Sequence, residues 1–148
     1  MNTGLLLFIG LAAGALIPIQ TSLNSLLGKS MGHPLLTTLT VFLIGGFACL
    51  VGMLIVKPSL PSIGSLNAVP LSAWMGGIIS LFYVVVVVFL APKLGVGLTT
   101  ALILVGQLVT AVVLDHFGLL GNVMHPINFM RLLGVSLMFM GIYLVKSY

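Results

Sequence analysis

Five long apolar stretches, separated by short polar connections, occupy most of this 148-residue chain. An α-helix rises 1.5 Å per residue, so crossing a hydrocarbon core of ~30 Å takes about 20 mainly apolar residues. The stretches at residues 4–27, 35–56, 71–90 and 96–114 meet that requirement. The fifth, at residues 127–146, is apolar without interruption only from 132 to 145. Arg131 and Lys146 can snorkel to the two interfaces, and Pro126 is expected to open this last helix.

This pattern predicts an all-α integral membrane protein with five transmembrane helices, forming a single domain over residues 1–148. Composition supports that class, because 60% of the residues are hydrophobic and only 4% are charged, against about 25% in soluble domains. Such a chain cannot cover a water-facing surface, so the lipid bilayer is its expected environment. The net charge of +4 comes from Lys and Arg residues spread singly along the chain, which do not form a nucleic-acid-binding patch.

An odd number of spans places the two termini on opposite sides of the membrane. Lys57 and Arg131 then lie on the side of the N-terminus, and Lys29, Lys93 and Lys146 lie on the other. A difference of one positive charge is too small to set an orientation. The count predicts insertion in both orientations and an antiparallel homodimer, in which two five-helix halves build a ten-helix inverted repeat. A fixed orientation with parallel association is the alternative.

The first span carries the densest group of polar residues. Gln20 and Asn24 are four residues apart and share a helical face just after Pro18, whose ring removes one backbone hydrogen bond. A kink beside two amides is suited to line a binding cavity. Alternatively, the amides hydrogen-bond a neighbouring helix and serve packing. Gly10 and Gly14 form a small-xxx-small pair that predicts a close helix contact.

The third span offers two aromatic candidates. Trp74 lies near its start, where an interfacial anchor competes with a binding role. Tyr83 shares a helical face with Gly76 and Ser80, and this face is predicted to look inward. Tyr83 is therefore the better binding candidate of the two.

The fourth span has Gln107 and Thr110 on one stripe near the middle of the bilayer. Asp115, the chain's one acidic residue, follows near the helix C-terminus, where it opposes the helix dipole and requires a cation nearby. Arg131 and His116 are available on the same membrane face. Asp115 is interpreted either as a structural ion pair or, with His116, as a protonatable relay coupled to a proton gradient. The predicted substrate-binding residues are thus Gln20, Asn24, Trp74, Tyr83, Gln107 and Thr110.

Enzyme chemistry has little support in the sequence. The three histidines are not accompanied by Cys or acidic residues at metal-ligand spacing, and no phosphate-binding loop or nucleophile motif is present. The chain is predicted not to be an enzyme and to need neither a metal nor a cofactor.

Several segments together resemble a known family. They are Pro18–Gly28 (PIQTSLNSLLG), Phe42–Gly46 (FLIGG), Trp74–Gly77 (WMGG), Gly106–Leu108 (GQL) and Asp115–Gly121 (DHFGLLG). In this order they are similar to the YdcZ-type family of five-helix, half-size bacterial inner-membrane proteins in the drug/metabolite transporter superfamily.

The resemblance implies an exporter or permease whose functional unit is two five-helix halves in inverted orientation. It also implies that Gln20, Asn24, Trp74, Tyr83 and Gln107 face the cavity between the halves. The small multidrug exporters of the superfamily use a glutamate in their first helix, which this chain lacks. An uncharged, amide-lined cavity favours neutral or zwitterionic solutes.

The expected function is therefore transport of a small solute by alternating access, with possible proton coupling. Two other functions remain open at this point. One is a passive channel built from oppositely inserted copies, and the other is a non-transporting subunit that packs against a larger membrane partner.

Overall fold

The computed structural model describes residues 2–147, and its regular elements in that range are all helical. Five of the helices are long and apolar enough to cross a membrane, which confirms the predicted fold class. They are α1 (Thr3–Met31), α2 (Pro34–Val56), α4 (Leu71–Leu94), α5 (Val96–Phe117) and α6 (Phe129–Ser147). A short helix, α3 (Ile63–Asn67), lies in the connection between α2 and α4 and is capped by the Ser62 hydroxyl.

Several helices continue beyond the predicted apolar stretches. α1 reaches Met31 and runs through Pro18, and α4 reaches Leu94 and runs through Pro92. With 29 residues, α1 is about 43 Å long, well beyond the ~30 Å of the hydrocarbon core. The hydropathy of the sequence identifies only the residues that suit the hydrocarbon core. The helical hydrogen bonds of the backbone extend past those residues, so the helices are longer than the apolar stretches.

The expectation that Pro126 opens the last helix is wrong. α6 begins at Phe129, because Asn128 caps it: the Arg131 backbone N–H donates to Asn128 Oδ1 at 2.9 Å. Asn is among the best N-cap residues, since its side-chain oxygen satisfies an N–H group of the first turn. Pro126 lies in the non-helical connection before this cap.

The chain divides into two compact units. The central unit comprises residues 19–93, and the terminal unit comprises the residues up to Pro18 together with those from Leu94 onward. The chain passes between the units twice, inside α1 and at the end of α4.

In the central unit, the buried side of α4 consists of Val84, Val87, Val88 and Ala91, which recur at helical spacing. Thr21 and Asn24 of α1 and Thr37 and Thr38 of α2 are also buried. The Thr37 and Thr38 hydroxyls can be buried because they donate to the carbonyls of His33 and Pro34, at 3.2 and 2.9 Å.

The face of α4 that was predicted to look inward is largely uncovered. Gly76 and Ser80 are exposed and Tyr83 is half-buried, so the prediction for this face is wrong in the single chain. The buried residues instead belong to the C-terminal half of the same helix. There, Val84, Val87 and Val88 are buried, and Val88 lies against Gly28 of α1.

In the terminal unit, α5 packs against α6 and against a 3₁₀ turn at Leu119–Gly121. α5 ends at Phe117 and is capped by Gly118, whose φ of 59° is left-handed and whose N–H donates to the Asp115 carbonyl at 3.3 Å. Glycine adopts this conformation without steric cost, so the chain turns sharply here toward α6.

Most of the apolar surface of the spanning helices is exposed in the single chain. None of the most apolar 18-residue stretch of α1, α2 or α6 is buried. Leu11, Leu54 and Phe129, for example, are each more than two-thirds exposed. These surfaces must be covered by lipid or by another protein chain.

Candidate functional site

The terminal unit contains an open cavity of about 370 Å³ between the N-terminal half of α1 and α5. We call it the α1–α5 cavity. Gln107, at the middle of α5, lines it together with Thr100, two helical turns earlier on the same face. Thr100 and Gln107 are seven residues apart, which places them about 10.5 Å apart along the helix axis. The other lining residues are Gly10, Leu11, Gly14, Ala15, Ile17, Ile103 and Leu104.

Among residues 2–147, the buried hydroxyl of Thr100 has no hydrogen-bond partner, and the same is true of Thr99. Other threonines of the protein behave differently, because Thr38 and Thr40 donate to the carbonyl four residues earlier. An unsatisfied buried hydroxyl costs free energy, of order 1–3 kcal/mol. Thr100, which lines the α1–α5 cavity, therefore carries a buried hydrogen-bonding group that is not used.

Gly10 and Gly14 keep the opposite wall of this cavity open. A Cβ atom built on either glycine meets no atom within 4 Å among the residues described. The predicted close helix contact at these glycines is therefore wrong in the single chain. The missing side chains leave space beside α5 and do not bring two backbones together.

A second cavity, of about 340 Å³, lies between α5 and α6 and is called here the α5–α6 cavity. Asp115 and Arg131 both line it, and Arg131 Nη1 lies 3.8 Å from Asp115 Oδ2. Both side chains are about one-third exposed. Arg131 is thus the cation that the position of Asp115 at a helix C-terminus requires.

Hydrogen bonds to the backbone of the connection between α5 and α6 tie it to this ion pair and to His116. The His125 N–H donates to the Asp115 carbonyl at 2.8 Å, and Arg131 Nη1 donates to the His125 carbonyl at 3.1 Å. The Ile127 N–H donates to His116 Nδ1 at 3.0 Å. His116 therefore uses one ring nitrogen to hold the connection.

The other predicted binding residues are distributed over the protein. Gln20 and Thr110 are exposed, Asn24 is buried in the central unit, and Tyr83 is half-buried. Trp74 is 59% exposed near the start of α4. Of the six residues predicted to bind substrate, Gln107 lines the α1–α5 cavity, and the other five line neither of the two cavities described above.

The described residues, 2–147, contain no group of three or more His, Cys, Asp or Glu side chains placed to hold a metal ion. The polar groups of both cavities are instead hydroxyl, amide and paired ionic groups. They are suited to hydrogen-bond an organic solute or to exchange a proton.

Thr100 is the functional candidate that the sequence analysis missed. A signal for it was present, because Thr37–Thr38 and Thr99–Thr100 each lie one turn into a helix that follows a left-handed glycine, Gly32 or Gly95. The repeated pattern does not reveal which pair is hydrogen-bonded, since that depends on the side-chain rotamer.

The chain matches the family described as "Putative inner membrane exporter, YdcZ" over residues 5–144. No curated protein and no solved structure matches it. The match covers nearly the whole chain and includes all five spanning helices, and a transporter family of this kind is not a family of enzymes. The protein therefore belongs to the YdcZ family of inner-membrane exporters.

Proposed function

We propose that this protein exports a small neutral or zwitterionic solute by alternating access, as an antiparallel homodimer. The family match supports export across the inner membrane. The observation that supports the proposal further is the α1–α5 cavity. It is lined by Gln107 and by Thr100, whose buried hydroxyl has no hydrogen-bond partner among residues 2–147.

The chemistry of the cavity favours an uncharged or internally balanced solute. Thr100 and Gln107 supply hydrogen-bond donors and acceptors but no formal charge. A bare ion would have no counter-ion among the residues lining this cavity. Leu11, Ile103 and Leu104 provide apolar contacts, as in most small-molecule sites.

The homodimer is supported by the exposed polar groups of the spans. Gln20, Gln107 and Thr110 are exposed in the single chain, within helices long enough to cross the bilayer. A polar group without a partner in hydrocarbon costs several kcal/mol. A second copy, inserted in the opposite orientation, would enclose these groups in a water-containing pathway, and the nearly balanced count of Lys and Arg on the two sides permits such insertion.

Proton coupling is proposed for Asp115. Its carboxylate is partly exposed at the α5–α6 cavity, and its charged partner in the described part of the chain is Arg131, at 3.8 Å. Protonation of the carboxylate would remove that ion pair and free α6 from one of its ties to α5. His116 contributes by holding the connection between these helices.

Water access to the α1–α5 cavity is the first test. In a Cys49→Ser background, Gln107→Cys is expected to react with a membrane-impermeant methanethiosulfonate reagent in membrane vesicles. The matched control is Val109→Cys, two residues further along α5 and about 200° around the helix, which lines neither of the two cavities described above. Equal reaction of both thiols, or reaction of neither, would contradict the cavity assignment.

A panel of neutral and zwitterionic metabolites is then screened for solutes that raise the melting temperature of the purified protein. Binding of these solutes tests the two proposed binding residues. Thr100→Val and Gln107→Leu are each expected to weaken binding roughly fivefold, as a lost hydrogen bond of about 1 kcal/mol requires. Saturable flux of the same solute in proteoliposomes distinguishes a transporter from a passive channel, whose flux rises without saturation.

A further inference from the structure

A third cavity, in the central unit, collects positive charge at one end of the helices. It has a volume of about 220 Å³ and lies where α1 ends, α2 begins and α4 ends. Lys29, His33 and Lys93 line it, together with apolar side chains that include Val88, Phe89 and Pro92. We call it the lysine pocket.

The two ammonium groups have no carboxylate partner among the residues that line the pocket. The chain's one acidic side chain, Asp115, is already paired with Arg131. The ends of α1 and α4 each bring about half a negative charge and the start of α2 about half a positive charge, so a net charge of roughly +1.5 remains. The pocket therefore carries an uncompensated positive charge.

Two contacts restrain the side chains of Lys93 and His33 in the lysine pocket. Lys93 Nζ lies 3.5 Å from the centroid of the Phe89 ring, a cation–π contact that restrains the lysine side chain. His33 Nδ1 accepts a hydrogen bond from the Leu35 N–H at 3.2 Å. A neutral His33 ring then carries its proton on Nε2, which leaves one donor unused by this contact.

We propose that the lysine pocket binds the phosphate group of an anionic phospholipid. A phosphate offers the charge and the acceptor oxygens that two ammonium groups and an imidazole N–H recognise. The pocket lies at the ends of spanning helices, the depth at which headgroups are found, and basic pockets between such helices are known lipid sites. Phe89 and Pro92, which are exposed, would contact the glycerol and the first acyl carbons, which a soluble phosphate does not have.

The test uses the full-length protein in dodecyl maltoside micelles. Phosphatidylglycerol is titrated in, and its binding is followed by the melting temperature and by native mass spectrometry. The double variant Lys29→Gln/Lys93→Gln is expected to bind this lipid about 30-fold more weakly, as two lysines near an anionic headgroup imply. The matched control, Lys57→Gln/Lys146→Gln, removes the same charge from lysines that do not line the pocket and is expected to bind as the wild type does.

The variant Lys29→Arg/Lys93→Arg is expected to retain binding, which separates loss of charge from misfolding. Inorganic phosphate is titrated in parallel. Suppose that inorganic phosphate raises the melting temperature of the wild type and of the Lys57→Gln/Lys146→Gln control, but not that of Lys29→Gln/Lys93→Gln. That result would mean that the pocket recognises the phosphate group of a soluble compound, and it would overturn the lipid assignment. Equal binding of phosphatidylglycerol by the pocket variant and the control would overturn the pocket altogether.

Discussion

Asp115 is the residue whose chemistry is easiest to isolate, because no other acidic side chain exists in the protein. Its ion pair with Arg131 is about one-third exposed, and a pair of this kind contributes at most about 1 kcal/mol in water. Replacement of Asp115 should therefore leave the fold intact. The position of Asp115 near a helix C-terminus predicted that it would need a cation. It did not predict that Arg131 would also donate a hydrogen bond to the carbonyl of His125. That second bond depends on how the connection folds.

Asp115→Asn is expected to remove the response of solute transport to an imposed pH gradient. The amide keeps the size of the side chain but cannot take up the coupling proton. The measurement is solute flux in proteoliposomes with and without the gradient, at unchanged melting temperature. Arg131→Lys, which preserves the ion pair, is the control and should retain coupling. A pH response that survives in Asp115→Asn would reduce the carboxylate to a structural partner of Arg131.

At the scale of elements, three helices of the central unit meet at Gly28. A Cβ atom on Gly28 would lie 3.2 Å from Val88 Cγ1 of α4 and 3.6 Å from Thr37 Oγ1 of α2. The absence of a side chain on α1 is therefore what permits this approach. The sequence motif around Gly28 supported the family resemblance, but only the packing shows why a larger residue would not fit there.

Gly28→Leu is expected to lower the stability of the protein by about 2 kcal/mol, because a larger side chain must displace Val88 and Thr37. Thermal unfolding in detergent measures the loss as a lower melting temperature. Gly45→Leu in α2 is the control, since a Cβ there meets no atom within 4 Å in the described part of the chain. Equal melting temperatures for the two variants would show that the α1–α2–α4 contact does not restrict this position.

At the scale of the whole molecule, five helices are long and apolar enough to span a membrane, which is an odd number. Most of the apolar surface of these helices is exposed in one chain. Lipid can cover the leucines but not the amides of Gln20 and Gln107. A partner of the same sequence, inserted the other way round, is the assembly proposed here to meet that requirement.

Insertion in both orientations is expected to be sensitive to single charges. Two reporters are fused in turn to the C-terminus: alkaline phosphatase, which is active only outside the inner membrane, and green fluorescent protein, which is fluorescent only inside. Both fusions should give a signal if the protein inserts in both orientations. Ser30→Lys and Ser65→Lys add one lysine to opposite faces of the membrane and should shift the ratio of the two signals in opposite directions. Activity of one reporter alone, unchanged by either lysine, would exclude the antiparallel homodimer.

The sequence by itself determined that five helices cross a bilayer and that Asp115 requires a cation. Both follow from local properties, namely the length of an apolar run and the polarity of a helix end. Only the tertiary structure decided which side of each helix is covered. It left Gln20 exposed while burying Asn24, opened the space beside Gly10 and Gly14, and left the Thr100 hydroxyl unsatisfied. Helices that are apolar all round have no preferred face in their sequence, so packing against neighbouring helices selects one.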